Sequence, residues 1–295
     1  MIVVTAPTGR IGRQVLDALL DGGEKVRVIA RDPARLVPEA RERAEVVRGS
    51  HGDPQVLGRA FEGADAVLWL VPPNPRAEDI REHYLGFTRP AREALRASGV
   101  RRVVGISSLG RGYGAHAGQL SAAFAMDEMI ESTGVAYRAL AMPFFMENLL
   151  HQAGVLRTRG VLSVPVAPDR ELPLVATRDI AAVAARLLAD ASWSGQETVP
   201  LISPDSLTPV GMARVLSEVL ERPVRFERPD GEEYKAALTG YGMHDAWAQG
   251  LLDMAAAQDD GIYEPEWRAL TTPVPTGFRQ WCREVLLPAA EATAA

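Results

Sequence analysis

The sequence predicts an α/β protein in which a doubly wound parallel sheet carries a smaller α/β cap. Three observations lead there. The chain opens as strand, tight turn and helix, Ile2-Val3-Val4-Thr5-Ala6-Pro7-Thr8-Gly9-Arg10-Ile11-Gly12. Short β-branched runs then alternate with helical patterns up to about residue 150, as βαβ crossovers require. Beyond that the alternation thins into helical stretches containing Met243, Trp247 and Met254. The expected division is a sheet domain over 1–150, a substrate-binding region over 151–288 with some segments packing back on the first, and a disordered tail over 289–295.

Ile2, Val3 and Val4 read as a strand buried on both faces, and Ile11, Val15, Leu16, Leu19 and Leu20 as the apolar stripe of the helix that follows. Gly9 and Gly12 let the backbone come close to a ligand, and the first amides of that helix, at the positive end of its dipole, suit a diphosphate. Ala6 stands at the first position of the G-x-x-G-x-x-G spacing, which the turn accommodates if its φ is negative. Thr8, Gly9, Arg10, Ile11 and Gly12 are therefore expected to hold a dinucleotide. The second strand, Val26-Arg27-Val28-Ile29-Ala30, ends in Arg31, where an acid would take the ribose hydroxyls of NADH. Arg31, with Arg35 one turn on and Arg10 in the first loop, offers guanidinium groups to a 2′-phosphate instead, so NADPH/NADP+ is the expected cofactor.

Glu45-Val46-Val47-Arg48 reads as a third strand after a charged surface stretch, with His51 expected in solvent and Asp53 capping a helix from Pro54. The run Ala66-Val67-Leu68-Trp69-Leu70-Val71 is a buried parallel strand that Pro72 and Pro73 end, so Leu70, Val71 and Pro72 should line the cofactor. A helix over 76–98, a strand over 102–106, a helix over 119–132 and a strand over 136–141 complete the sheet domain. In the second region, strands are expected over 172–175 and 198–202. Helices are expected after a cap at Thr177 or Asp179, then over 210–221, 234–238 and 243–258.

Composition narrows the function. With 47% hydrophobic and 24% charged residues the chain is ordinary for a globular protein, and a net charge of -6 without a basic run argues against nucleic acid. Cys282 is the single cysteine, expected buried in a helix. No disulfide framework or thiolate metal site follows, and His83, His151 and His244 have no companions at ligand spacing. There is no apolar run long enough for a membrane span and no leader pattern, so the expected location is the cytoplasm, as a monomer or homodimer. Of the 32 basic residues only Lys25 and Lys235 are lysines, which points to a GC-rich genome of the actinomycete kind.

The opening motif, Ala30-Arg31-Asp32-Pro33-Ala34-Arg35, Arg102-Val103-Val104-Gly105-Ile106-Ser107-Ser108 and Met142-Pro143-Phe144-Phe145-Met146-Glu147-Asn148 together carry a resemblance over nearly the whole chain. The sequence resembles NmrA-like members of the atypical short-chain dehydrogenase/reductase superfamily. The last segment is similar to the family's R-P-x-x-F-x-E-N run with Met142 in place of Arg, and Ser50 stands where members carry an Asp for the adenine amine. The resemblance implies a Rossmann domain with a small carboxy-terminal substrate domain, and it adds Ser107, Pro143 and Phe144 to the cofactor residues. Classical members of the superfamily place a Ser after the fifth strand and a Tyr-x-x-x-Lys on the next helix; aligned on that helix end, this chain has Leu120 and Phe124. What remains near the nicotinamide is Ser108 and Tyr113 as catalytic candidates, with Ser108, His116, Phe145 and Asn148 as substrate contacts.

A general acid usually contributes about 10² to 10⁴ in rate. Without one, hydride transfer to a carbonyl or quinone remains feasible where a hydroxyl on the substrate holds the developing alkoxide. The expectation is an NADPH-dependent ketoreductase acting on a large aromatic molecule of the angucycline polyketide kind. The alternatives are a generic NADPH:quinone reductase and a non-enzymatic NADP(H)-sensing regulator.

Overall fold

Val3 and Val4 have no exposed surface, because the strand they form sits mid-sheet with a helix layer on either side. The computed structural model describes residues 1–267 and 273–292. Its sheet domain runs β1 (Ile2–Val4), α1 (Arg10–Asp21), β2 (Val26–Ala30), α2 (Pro38–Arg43), β3 (Glu45–Arg48), α3 (Pro54–Phe61), β4 (Ala66–Trp69), α4 (Ile80–Ala97), β5 (Arg102–Ser108), α5 (Gln119–Glu131) and β6 (Ala136–Met142). The second region continues with β7 (Phe144–Phe145), α6 (Ala153–Arg159), β8 (Val161–Ser163), β9 (Leu172–Val175), α7 (Thr177–Ala189), β10 (Gln196–Pro200), β11 (Ser206–Leu207) and α8 (Pro209–Val219). It ends with β12 (Arg225–Glu227), α9 (Gly231–Gly240), α10 (Asp245–Asp259), α11 (Glu264–Trp267), α12 (Phe278–Trp281) and α13 (Leu287–Ala292).

The main sheet has seven parallel strands in the order β3-β2-β1-β4-β5-β6-β10. The strand order reverses between β1 and β4, which opens a crevice at the carboxyl ends of those strands, the place where open α/β sheets bind ligands. The seventh strand comes from the second region: the strand expected over 198–202 lies at Gln196–Pro200 and pairs with β6. The α7 helix packs on α1 and shares its apolar cluster, so this part of the chain closes the sheet domain. Neither Thr177 nor Asp179 caps it. The Glu147 carboxylate does so from a distance, accepting from the Thr177 amide at 3.0 Å and the Thr177 hydroxyl at 2.9 Å.

The cap proper is built on the small sheet β11-β9-β7, the pair β12-β8 and the later helices, around Leu156, Leu216, Phe278 and Trp281. Cys282 is fully buried there, as the sequence suggests, in a short π-helical turn. The tail differs from expectation. Residues 289–292 continue α13, with Ala290 fully buried, while 293–295 lie outside the described residues. The long helix begins at Ile80, after a turn that Asn74 and Asp79 close with side-chain bonds to the amides of Arg76 and Glu82. No helix among the described residues is long and apolar enough to cross a membrane.

Candidate functional site

At the crevice, Thr5 ties the ends of β1 and β4 together: its hydroxyl donates to the Leu68 carbonyl at 2.8 Å and accepts from the Leu70 amide at 2.9 Å. The turn to α1 follows. Gly9 is the N-cap and supplies no side-chain cap, and the first turn has no acidic residue, so the amides of Arg10, Ile11 and Gly12 have no partner within the helix. A Cβ on Gly12 would lie 2.2 Å from the Ala6 carbonyl oxygen, which is why glycine is needed where helix and turn touch. Ala6 itself corrects the expectation of a negative φ: it sits at +49°, the left-handed region that costs a Cβ-bearing residue roughly 1 kcal/mol. Ala6→Gly is accordingly expected to raise unfolding stability by up to about 1 kcal/mol in a urea titration, with NADPH affinity kept or improved. A destabilised variant would show that the methyl packs more than it strains.

Arg10, Arg31 and Arg35 are exposed around this turn, and no described carboxylate forms an ion pair with them. An uncapped helix start flanked by three unpaired guanidinium groups fits a diphosphate with an additional phosphate on its ribose. Leu70, Val71 and Pro72 form the next rim of the crevice, with the Pro72 carbonyl 2.8 Å from His83 Nε2. His51 is not in solvent. Its ring is buried with the Phe87 ring 4.6 Å away and the Trp69 ring 5.5 Å away, and burial, with the Arg31 charge as the next cause, lowers its pKa to about 4. The ring is therefore neutral at working pH. Ser50 closes its own turn by accepting from the Gly52 amide, and Asp53 caps α3 as expected.

Around β5, the two serines face opposite ways because strand side chains alternate. Ser107 donates to the Asp127 carboxylate of α5, which also accepts from Tyr137 of β6 at 2.6 Å. Gly105 makes room for that tyrosine: a Cβ there would lie 1.9 Å from the Tyr137 hydroxyl oxygen. Burial raises Asp127 to about 6, against the hydrogen bonds from Ser107 and Tyr137 and the nearby Arg111 charge, which lower it. Sequence reasoning missed this carboxylate. The available signal was an Asp among the buried Ala122, Ala123, Ala125, Met126 and Ile130 of one helix. Ser108 faces the cap, and its hydroxyl donates to the backbone carbonyls of Leu109 at 3.0 Å and Met142 at 3.2 Å.

The remaining candidates are dispersed. Tyr113 donates to Asp260 of the cap at 2.8 Å, and His116, largely exposed, lies 3.6 Å from Asp253 of α10. Both pin the β5 loop to the cap. Pro143 is buried at the end of β6; Phe144 packs on the cap cluster, Phe145 on the sheet-domain cluster, and Met146 is fully buried. Asn148 is exposed. Leu120 is buried in the cap cluster and Phe124 packs against it, so α5 presents carbon at both positions. Beside the β5 loop an open groove of about 840 Å³ is lined by Pro165, Arg228, Leu252, Ala255, Asp259 and Asp260.

A reversing parallel sheet with an uncapped, arginine-flanked helix start at its switch point defines a dinucleotide-binding α/β protein. The chain belongs to the NmrA-like family, whose model matches residues 1–271. It is 31% identical over 288 residues to (4-alkanoyl-5-oxo-2,5-dihydrofuran-3-yl)methyl phosphate reductase of Streptomyces griseus, covering 96% of this chain and 97% of that protein. It is 27% identical over 266 residues to NAD(P)H azoreductase of Xenophilus azovorans, covering 87% of this chain and 86% of the relative. The crystal structure of NADPH-dependent quinone oxidoreductase from Escherichia coli, complexed with NADPH, matches with a TM-score of 0.80 over 100% of both chains; at 22% identity this likeness shows the fold.

Proposed function

We propose that the protein is an NADPH-dependent ketoreductase acting on a carbonyl or quinone of a large aromatic molecule, with a hydroxyl of the substrate holding the developing alkoxide. The observation that carries it is carbon at Leu120 and Phe124, packed into the cap cluster on the helix where a tyrosine and lysine would work. Of the two lysines, Lys25 follows α1 and Lys235 is paired with Asp245 in the cap. The reductase names of the two relatives support the reaction class. The narrower reading, an angucycline-type polyketide, extends a resemblance to the ketoreductase of simocyclinone biosynthesis. A Streptomyces relative is in keeping with it.

NADPH supplies the hydride when bound. The amides of Arg10, Ile11 and Gly12 would hold its diphosphate, Arg31 and Arg35 its 2′-phosphate, and residues 70–72 would fix its depth in the crevice. Ser108, whose proton rests on backbone carbonyls, can turn that proton toward a substrate oxygen. The direct test is NADPH oxidation with an aryl ketone or quinone bearing a neighbouring hydroxyl; NADPH binding without oxidation of any such compound would favour the sensing regulator. For the cofactor assignment, Arg31→Ala is expected to weaken NADPH binding by about 1 to 3 kcal/mol, the scale of hydrogen bonds to a charged group, and to leave NADH nearly unchanged in a fluorescence titration. Equal losses for both would sink the 2′-phosphate assignment.

A further inference from the structure

We propose that His83 is the positioning residue for the cofactor-lining loop after β4: its Nε2–H holds the Pro72 carbonyl while its ring leans on Trp247 of α10, so the seating of the cap sets that loop. The inference rests on the NADPH reading above and deepens it, since residues 70–72 form the rim against which the cofactor would lie. His83 Nε2 is 2.8 Å from the Pro72 carbonyl oxygen, and the His83 and Trp247 rings meet edge to face with centroids 5.8 Å apart. The Pro72 carbonyl offers only lone pairs, so Nε2 carries the proton.

This loop has to be held by its carbonyls. In Pro72-Pro73-Asn74-Pro75 only Asn74 has an amide hydrogen to donate. The carbonyls accept instead: Pro72 from His83 at 2.8 Å, Asn74 from the Ala77 amide at 2.9 Å, and Pro75 from the His244 amide at 2.7 Å. The first donor belongs to α4, the second to the loop's own turn and the third to the cap. Aromatic edges aim the imidazole, with the Phe87 ring 5.4 Å and the Tyr84 ring 5.6 Å away besides Trp247. Without the Nε2 donor the Pro72 carbonyl loses its tie to α4, and the rim at residues 70–72 is free to drift from the cofactor.

The α10 helix is fitted to this place by close backbone contact. A Cβ on Gly118, the N-cap of α5, would lie 1.9 Å from the Gly250 carbonyl oxygen, and a Cβ on Gly250 would lie 2.3 Å from Ile80 Cδ1 at the start of α4. Trp247, 1% exposed, is buried there in a cluster with Ile80 and Ala122. His244, whose amide reaches Pro75, also caps α10 by accepting from the Ala246 amide at 3.3 Å through Nδ1. His83 therefore touches both the cofactor rim, through Pro72, and the cap helix, through Trp247. A cofactor that fixes the rim steadies His83 and with it α10, and by linkage a steadier α10 strengthens the hold on the cofactor.

The test uses the full chain and compares wild type, His83→Phe and His83→Gln by fluorescence titration with NADPH and by amide hydrogen exchange of α10 with and without NADPH. Phenylalanine keeps the ring packing and has no donor; glutamine loses the ring and keeps an N–H at similar reach. His83→Phe is expected to weaken NADPH by about threefold to tenfold, the worth of one hydrogen bond, and His83→Gln to stay within about twofold of wild type. NADPH is expected to slow exchange of the α10 amides by about threefold or more in the wild type and to lose that effect in His83→Phe. Wild-type affinity in His83→Phe, an equal loss in His83→Gln, or α10 exchange that NADPH leaves unchanged in the wild type overturns the inference alone. Should His83→Phe not fold, the wild-type exchange measurement decides. No NADPH binding by the wild type overturns the cofactor reading and this inference with it.

Discussion

Methylating the hydroxyl beside the reacting carbonyl is expected to lower kcat/KM by about 10² or more, measured as NADPH oxidation on a hydroxyquinone or hydroxyaryl ketone and its methyl ether. The size follows from what a single well-placed donor to a developing oxyanion is worth, about 10² to 10³ in rate. In the parent compound that donor is attached to the substrate and already aligned. The methyl ether has none, and Leu120 and Phe124 offer only carbon from α5. The side chains that remain are small controls: Ser108→Ala and Tyr113→Phe are each expected to cost under about tenfold, below a true general acid's contribution. Tyr113 is the stricter control, since its hydroxyl is engaged by Asp260 on an exposed loop. A drop of several hundredfold in Tyr113→Phe would place the acid on the loop, and undiminished turnover of the methyl ether would refute the substrate-assisted reading.

The sheet was legible because parallel strands are apolar on both faces: Val3, Val4, Val28, Leu68 and Val104 are fully buried. The strand-turn-helix opening was legible because a helix start with Gly9 and Gly12 has local geometry that few residues allow. What failed depends on contacts far along the chain. His51 looked like a loop residue, yet Trp69 and Phe87 from later elements enclose its ring. Tyr263 gave no periodic signal, since its burial comes from a cap segment whose Ile262 fits against Gly110. Gln196–Pro200 was readable as a strand, but its pairing with β6 is a property of the closed fold. Ala6 was readable as a departure from the glycine pattern; its positive φ was not, because an alanine gives no hint that the turn imposes one.

The largest stability effect should come from the carboxylate buried beneath β5. Asp127→Ala is expected to cost about 2 to 5 kcal/mol in urea denaturation, because it strands the hydroxyls of Ser107 and Tyr137, each a buried donor worth about 1 to 3 kcal/mol when left without an acceptor. Asp127→Asn separates charge from shape, since its carbonyl can still accept one of the two bonds. Folding raises Asp127 from 3.8 to about 6, so the native state binds its proton more tightly than the unfolded chain does. The stability linked to that proton is fully present below pH 3.8 and is lost as pH rises through 6, whereas an Asn at 127 has nothing to titrate. Relative to Asp127→Asn, the wild type should therefore lose roughly 2 to 3 kcal/mol between pH 4 and pH 7.5. All other titrations are shared by the two proteins and cancel in the difference. Parallel stability profiles across that interval would mean that Ser107, Tyr137 and the nearby Arg111 hold the carboxylate ionised at its ordinary pKa despite its burial.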